Sequence, residues 1–267
     1  MFIQSSQNLD RGVILWFDDG LKNTFDVAYP KMKEYGYIGM VSVITDRVGG
    51  VFDDGKWRDK PCMSLSELKK LQEDGWEIVS HSRTHSYLNE IPQDQAENEI
   101  IGSKKWIEQN LGILPKAFVY PYDVVVHEDI VQENYEFQRT YQVGIWNGHD
   151  NNITVVFIKQ GETWKVDYCL KKIKEDGGFA VFVLHSIVDS PEGPWENTPG
   201  EFQSLLSNIS TYNLPVVTLS EVSGNSSKHL TKSEIIPMDL MDIINRLKGY
   251  LEQIFQKLLD FISGLQD

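Results

Sequence analysis

The sequence predicts an α/β chain: a (β/α) barrel of seven or eight strands, distorted from the regular form, followed by a C-terminal amphipathic helix. Three observations carry this. Short apolar runs alternate with amphipathic stretches along the first four-fifths of the chain, which is the pattern of a parallel sheet with helical crossovers. The length, 267 residues, suits one barrel of about 250 residues with an appendage. Beyond a polar stretch near residue 230, the apolar residues settle into a heptad period.

The elements follow in order. Strands are expected at Gly12–Phe17, Ile38–Ile44, Trp76–Ser80, Ala117–Tyr120, Gln138–Val143, Thr154–Ile158, Phe179–Leu184 and Pro215–Leu219. Ser64-Leu-Ser-Glu67 reads as a capping box that opens a helix, and Gly75 ends it. Pro92 opens a longer helix that runs to about Leu111 and stops before Gly112. Thr198-Pro-Gly-Glu201 is a second capping box. The barrel is assigned to residues 1–222, a Ser-, Gly- and Asn-containing linker to 223–236, and the amphipathic helix to 237–267.

Composition excludes several classes. Hydrophobic residues make up 41% and charged residues 24%, a globular balance rather than a disordered one. The net charge is −14, so no broad basic surface is available for nucleic-acid phosphates. Two cysteines, Cys62 and Cys169, cannot make a disulfide framework or a thiolate zinc site. They read as two buried thiols or one disulfide. No apolar run approaches the roughly 18 residues of a membrane span. The first residues lack the basic and apolar regions of a signal peptide, so the expectation is either a cytoplasmic protein or a mature or trimmed chain.

Three groups of chemically active residues stand at strand ends. Asp18-Asp19-Gly20 follows the first strand, His81-Ser-Arg-Thr-His85 the third, and His185 the strand that ends at Leu184. In a β/α barrel such positions share one face. On a helical turn, His81 and His85 would project to the same side, as metal-ligand pairs do. With Asp19 they would form a two-histidine, one-carboxylate site. Asp18 would stay free to take a proton from water. The plainer alternatives are cap or surface histidines and N-capping aspartates.

At these residues the chain resembles a known family. Phe17-Asp18-Asp19-Gly20 resembles the TFDDG motif of the polysaccharide deacetylases, carbohydrate esterase family 4 with the NodB homology domain. His81–His85 resembles the HSxxH motif of that family, Phe118-Val119-Tyr120-Pro121-Tyr122 its third motif, and Val183-Leu184-His185 its final one. The resemblance implies that Asp18 is the catalytic base and that Asp19, His81 and His85 hold one divalent metal ion, zinc first, with cobalt, nickel or manganese as alternatives. It further implies that the Tyr122 backbone N–H steadies the oxyanion, that Leu184 and Pro121 line the acetyl pocket, and that His185 is the general acid. The expected substrate is an N- or O-acetylated glycan, and the expected location extracellular or at the cell envelope. The rim aromatics Trp57, Tyr87, Trp146 and Trp195 are candidates for glycan contact.

Four features depart from the family pattern. Many members carry an arginine where Val119 stands, tethering the base. Glycine often follows Pro-Tyr, where this chain has Asp123. Trp16 stands where a small Thr or Ser is usual. The fourth motif, an Asp-Trp cluster that orients the general acid, has only Trp146 and Asp150 as candidates. The alternative function is therefore a catalytically weak or inactive barrel that binds glycan or serves assembly. An iron oxygenase with the same ligand types is disfavoured, because its usual scaffold is antiparallel β.

The heptad positions Leu240, Ile244, Leu247, Leu251, Ile254, Leu258, Phe261 and Leu265 step by alternating fours and threes. Flanking Met241, Ile243, Tyr250, Phe255 and Ile262 widen the stripe beyond a two-stranded seam. The stripe is expected to drive self-association into a homo-oligomer, with docking on its own barrel as the alternative; a membrane-surface helix is disfavoured because the polar face has no Lys/Arg excess. Sedimentation of the full chain against a version ending at Ser223 tests it: an oligomer that becomes a monomer on truncation is the expected result, and two monomers would refute it.

Overall fold

The computed structural model describes residues 9–224 apart from 53, 54, 56 and 57. The amphipathic helix expected at 237–267, nearly all of the linker, and Trp57 lie outside the described residues.

Seven parallel strands close into a barrel in chain order. They are β1 Arg11–Phe17, β2 Met40–Val43, β3 Glu77–Ser80, β4 Ala117–Val119, β5 Phe137–Val143, β6 Asn152–Phe157 and β7 Gly178–Leu184. The helices are α1 Tyr29–Glu34, α2 Leu65–Glu73, α3 Gln93–Leu111, α4 Glu128–Asn134, α5 Trp164–Asp176, α6 Pro199–Tyr212 and α7 Leu219–Gly224. Two short strands, β8 Ser186–Ile187 and β9 Glu196–Asn197, pair with each other beyond the end of β7.

One expected strand is absent. Pro215–Leu219 makes a single bridge, Val13 to Val216, and Leu219 opens α7. β1 already pairs with β7 through seven consecutive partners, from Arg11↔Gly178 to Phe17↔Leu184. Both ladder edges of β1 are thus largely taken, by β7 and by β2 at its upper end. The Pro215 segment reaches only the lower end of β1, through Val13 N–H to the Pro215 carbonyl (2.9 Å) and Val217 N–H to the Val13 carbonyl (2.9 Å).

The interior follows the two-residue period of strands. Ile14 and Trp16, Ala117 and Val119, Ile153, Val155 and Phe157, and Phe179, Val181 and Val183 pack in one buried cluster. The intervening residues face the helices: Phe17 stacks on Trp76 (5.6 Å between centroids) and meets Phe202 of α6 edge-on (5.9 Å). Burial of each such large apolar side chain contributes about 1.5–3 kcal/mol.

Local signals place the helices. Both capping boxes form: Ser64 caps α2 with Glu67, and Thr198 caps α6 with Glu201. α3 starts after Pro92 and ends at Gly112, which is left-handed (φ 70°). The two cysteines are buried and neither is in a disulfide.

Gly39 shows how tightly β2 meets its neighbours. A Cβ there would lie 2.8 Å from the Trp76 ring and 3.1 Å from the Met32 methyl, both buried. Overpacking of this kind costs about 1–3 kcal/mol. Gly39→Ala is expected to destabilise the barrel by that amount, read as a lowered urea midpoint with an unchanged slope.

Candidate active site

The strands end at one rim, and the expected residues meet there. Asp18 follows β1 directly. Its N–H donates to the Leu184 carbonyl (2.9 Å), which continues the β1–β7 ladder by one rung and sets Asp18 beside His185. Ser42 on β2 donates its hydroxyl to Asp18 Oδ1 (2.6 Å). Asp19 then turns with φ 70°, a left-handed conformation that Asp tolerates better than most residues. Both carboxylates are buried.

Asp19, His81 and His85 each present one ligand atom, all within 4.8 Å of one another. His81 Nε2 lies 3.4 Å and His85 Nε2 3.6 Å from Asp19 Oδ1. His81 Nδ1 is 2.9 Å from the Val119 carbonyl, so it carries the proton and leaves Nε2 to face the cluster. One carboxylate and two imidazoles are a donor set for zinc and similar divalent ions.

The histidine pair is not on a helical turn, contrary to expectation. Residues 81–85 form a loop in which Ser82 (φ 63°) and His85 (φ 66°) are left-handed. Side chains, rather than helix geometry, hold that loop. Glu99 on α3 accepts the N–H groups of Arg83 (2.9 Å) and Thr84 (2.8 Å) and the Thr84 hydroxyl (2.8 Å). Ser82 Oγ accepts the His85 N–H (3.0 Å), and Arg83 pairs with Asp46 (2.7 Å).

The residue that the sequence did not flag is Arg139, on β5 and 1% exposed. Its guanidinium grips Asp18 with two bonds, Nη1 to Oδ1 (2.8 Å) and Nη2 to Oδ2 (2.5 Å). It also lies over the Trp16 ring, 5.1 Å from the centroid. A lone cation on the inward parity of a barrel strand, two residues after Phe137, was the available signal. His185 Nε2 approaches Asp18 Oδ2 at 3.7 Å. Trp195 packs on the His185 ring (4.9 Å), and Lys159 Nζ lies over the Trp195 ring, 4.6 Å from its centroid.

The electrostatics follow from burial and neighbours. Burial alone would raise the Asp18 carboxyl, but Arg139, His185 and His81 outweigh it and hold Asp18 below the ordinary carboxylate range. Burial also opposes charge on Asp19, and the surrounding histidines, His81 first, overcome it and lower its pKa. Burial pushes His85 down to about 3, helped by His81, so His85 is neutral and ready to ligate. Burial would lower His81 too, but its contact with Asp19 and the charge of Asp18 raise it.

The third motif lies on the same rim. Pro121 is buried, and Tyr122 and Asp123 are both left-handed (φ 56° and 59°). Asp123 thus keeps the conformation that glycine supplies easily, and burial pushes its carboxyl up. The exposed Tyr122 ring stacks on Tyr87 (3.7 Å, 4°) and meets His85 at 4.4 Å. Leu184 is fully buried at the end of β7.

Trp146 and Asp150 belong elsewhere. Trp146 is buried against Phe137 and Phe179, at the entry ends of β5 and β7, and its indole N–H donates to the Asp150 carbonyl (2.9 Å). They sit at the opposite end of the barrel from Asp18, so neither can orient His185, and Trp146 cannot touch a glycan at the rim.

Glu99 accepts three bonds from the histidine loop, from Arg83 and Thr84 rather than from His81 or His85. Loss of such an outer support typically weakens a metal site by about 10- to 100-fold. If the cluster holds a divalent ion, Glu99→Ala is expected to weaken its binding by that factor in a chelator-competition titration, and unchanged affinity would show that the loop holds itself.

Residues 6–138 match the family model described as polysaccharide deacetylase. A relative from Bacillus subtilis (strain 168), YxkH, which bears a provisional polysaccharide deacetylase name, is 28% identical over 121 residues. That match covers 45% of this chain and 40% of YxkH, well under two thirds of the relative. Among solved structures, the T48 deacetylase with substrate aligns at a TM-score of 0.52 and 17% identity, covering 84% of this chain and 94% of that one. The peptidoglycan deacetylase PdaC from Bacillus subtilis gives 0.52 and 16%, covering 82% and 93%. The Xyl-CE4 domain of a multidomain xylanase from the hindgut metagenome of Trinervitermes trinervoides gives 0.51 and 19%, covering 81% and 91%. At these identities the solved structures show a shared barrel. The family match falls on the paired aspartates and the histidine loop already seen to converge, and the chain belongs to the polysaccharide deacetylase family.

Proposed function

We propose that the protein is a metal-dependent hydrolase that removes acetyl groups from an acetylated polysaccharide. The observation that carries this is the pairing of Asp18, gripped but not ligating, with the Asp19–His81–His85 cluster one residue away. Zinc is the ion we assign, since imidazole and carboxylate donors suit it. Bound there, a divalent cation would polarise the acetyl carbonyl and lower the pKa of water.

The remaining roles fall to the chain. Asp18 Oδ2, the oxygen nearer His185, accepts the proton of the attacking water. The Tyr122 backbone N–H steadies the oxyanion, held by the left-handed turn and by the Tyr87 stack. His185 protonates the leaving nitrogen or oxygen, and Trp195 fixes its ring. Pro121 and Leu184 form the apolar wall for the acetyl methyl. The exposed Tyr87–Tyr122 pair and Trp195 offer faces for sugar rings. A glycan of the cell envelope or exterior is the substrate class we favour, supported by the name of PdaC as a peptidoglycan deacetylase. No helix among the described residues is long and apolar enough to cross a membrane.

Acetate release from chitin, peptidoglycan and acetylated xylan fragments, with metals returned to chelated protein, tests the reading. His81→Ala is expected to lose most bound metal in elemental analysis while the barrel stays folded. Asp18→Asn should keep the metal and lose about 100- to 10,000-fold in turnover. A parent that binds glycan but releases no acetate would favour a binding barrel instead.

A further inference from the structure

We propose that Arg139, one strand around the barrel from position 119, is the residue that positions the base, and that Trp16 and Val119 accommodate it, the first as a ring under the guanidinium and the second by leaving space beside it. The inference rests on the reading of Asp18 as the base. Val119 on β4 and Arg139 on β5 are direct partners in the parallel ladder. Both lie on the inward parity of their strands, so an arginine at either position starts from the same level of the same interior. Position 119 holds a valine, with no charge to offer Asp18. Position 139 supplies the guanidinium and makes the two-bond grip.

The neighbours fit this placement. Trp16 lies two residues before Asp18 on β1, on the same face, and is fully buried. Its ring lies under the Arg139 guanidinium at 5.1 Å, where a cation gains from an aromatic face. Val119 packs in the same interior cluster as Trp16. Trp16, Val119 and Arg139 therefore act as one unit, in which a large ring supports the arginine and a small side chain yields the space. Ser42 braces the same Asp18 oxygen, Oδ1, leaving Oδ2 as the one turned to His185. Arg139 touches none of the three metal-site residues through any hydrogen bond described, so its effect runs through Asp18.

The test uses the full chain with its metal, on an N-acetylated chito-oligosaccharide, with Arg139→Met and Arg139→Lys. Both variants are expected to keep the parent's metal content in elemental analysis. Their kcat should fall about 100-fold, the cost of a misplaced reacting group, with KM within about threefold. Lysine should not restore the rate, because it cannot make the paired bonds. If Arg139→Met does not fold, Arg139→Lys carries the same comparison. A second arm returns the arginine: Trp16→Thr/Val119→Arg/Arg139→Val should recover at least about tenfold of the kcat lost in Arg139→Met. Unchanged kcat in Arg139→Met and Arg139→Lys, loss of metal together with rate, or a lysine variant as active as the parent would overturn the proposal. If the parent releases no acetate from any substrate, the deacetylase reading falls, and the pairing is then judged by unfolding. Arg139→Lys should lower the thermal midpoint in the parent but much less in an Asp18→Asn background. Equal shifts in both backgrounds would overturn it.

Discussion

The buried ion pair between Asp18 and Arg139 organises the rim of this barrel. Two charges taken out of water cost several kcal/mol each, and their attraction repays that only with good geometry and further hydrogen bonds. Both conditions are met: the guanidinium makes two bonds, and Ser42 adds a third to the same carboxylate. Such a pair is a poor device for stability alone, since apolar residues would pack the interior as well. Its product is orientation. Asp18 is fixed from β2, β5 and the end of β7 at once, which leaves one oxygen turned toward His185. The arrangement has a cost in basicity, because the arginine that aims the carboxylate also lowers its affinity for a proton.

Backbone strain is concentrated where that aim matters. Among the described residues, eight that are not glycine have left-handed φ, and five of them are Asp19, Ser82, His85, Tyr122 and Asp123. A random scatter over the surface loops would not favour this rim. Each such residue costs about 1–3 kcal/mol and persists only when the surroundings over-determine it. Here they do: Glu99 holds the histidine loop, and aromatic stacking holds Tyr122.

Much of this was legible in the sequence, for physical reasons that differ by element. Apart from β5, the barrel strands are largely short apolar runs, and the helices α2, α3 and α6 carry their start signals in single residues. Pro215–Leu219 is also apolar, but its burial comes from covering the lower end of β1 and from the turn into α7, and composition cannot separate that from a ladder. The ligand loop was found by spacing, yet its shape depends on Glu99, which is 16 residues from Arg83 in the chain. Arg139 escaped notice for a related reason. In sequence it is one charge in FQRTYQV; only closure of the barrel brings it 121 residues back to Asp18.

The charges at the rim also bear on what it can stabilise. Asp18 and Asp19 are held ionised, His85 is held neutral, and Arg139 supplies one positive charge. With His81 neutral, as ligation requires, these groups sum to one negative charge, which repels an oxyanion forming beside them. A divalent cation held by Asp19, His81 and His85 would reverse that sign and leave one positive charge in a largely buried setting, where it would act strongly on developing negative charge. Asp123 differs in direction: burial raises its carboxyl and the charge of Asp18 adds to that, while Arg139 and His185 oppose it. On the proposed reading, the same residues that would hold a cation leave the rim with a negative charge that a cation would have to offset. In this family member the arginine from β5 completes that balance from inside the barrel.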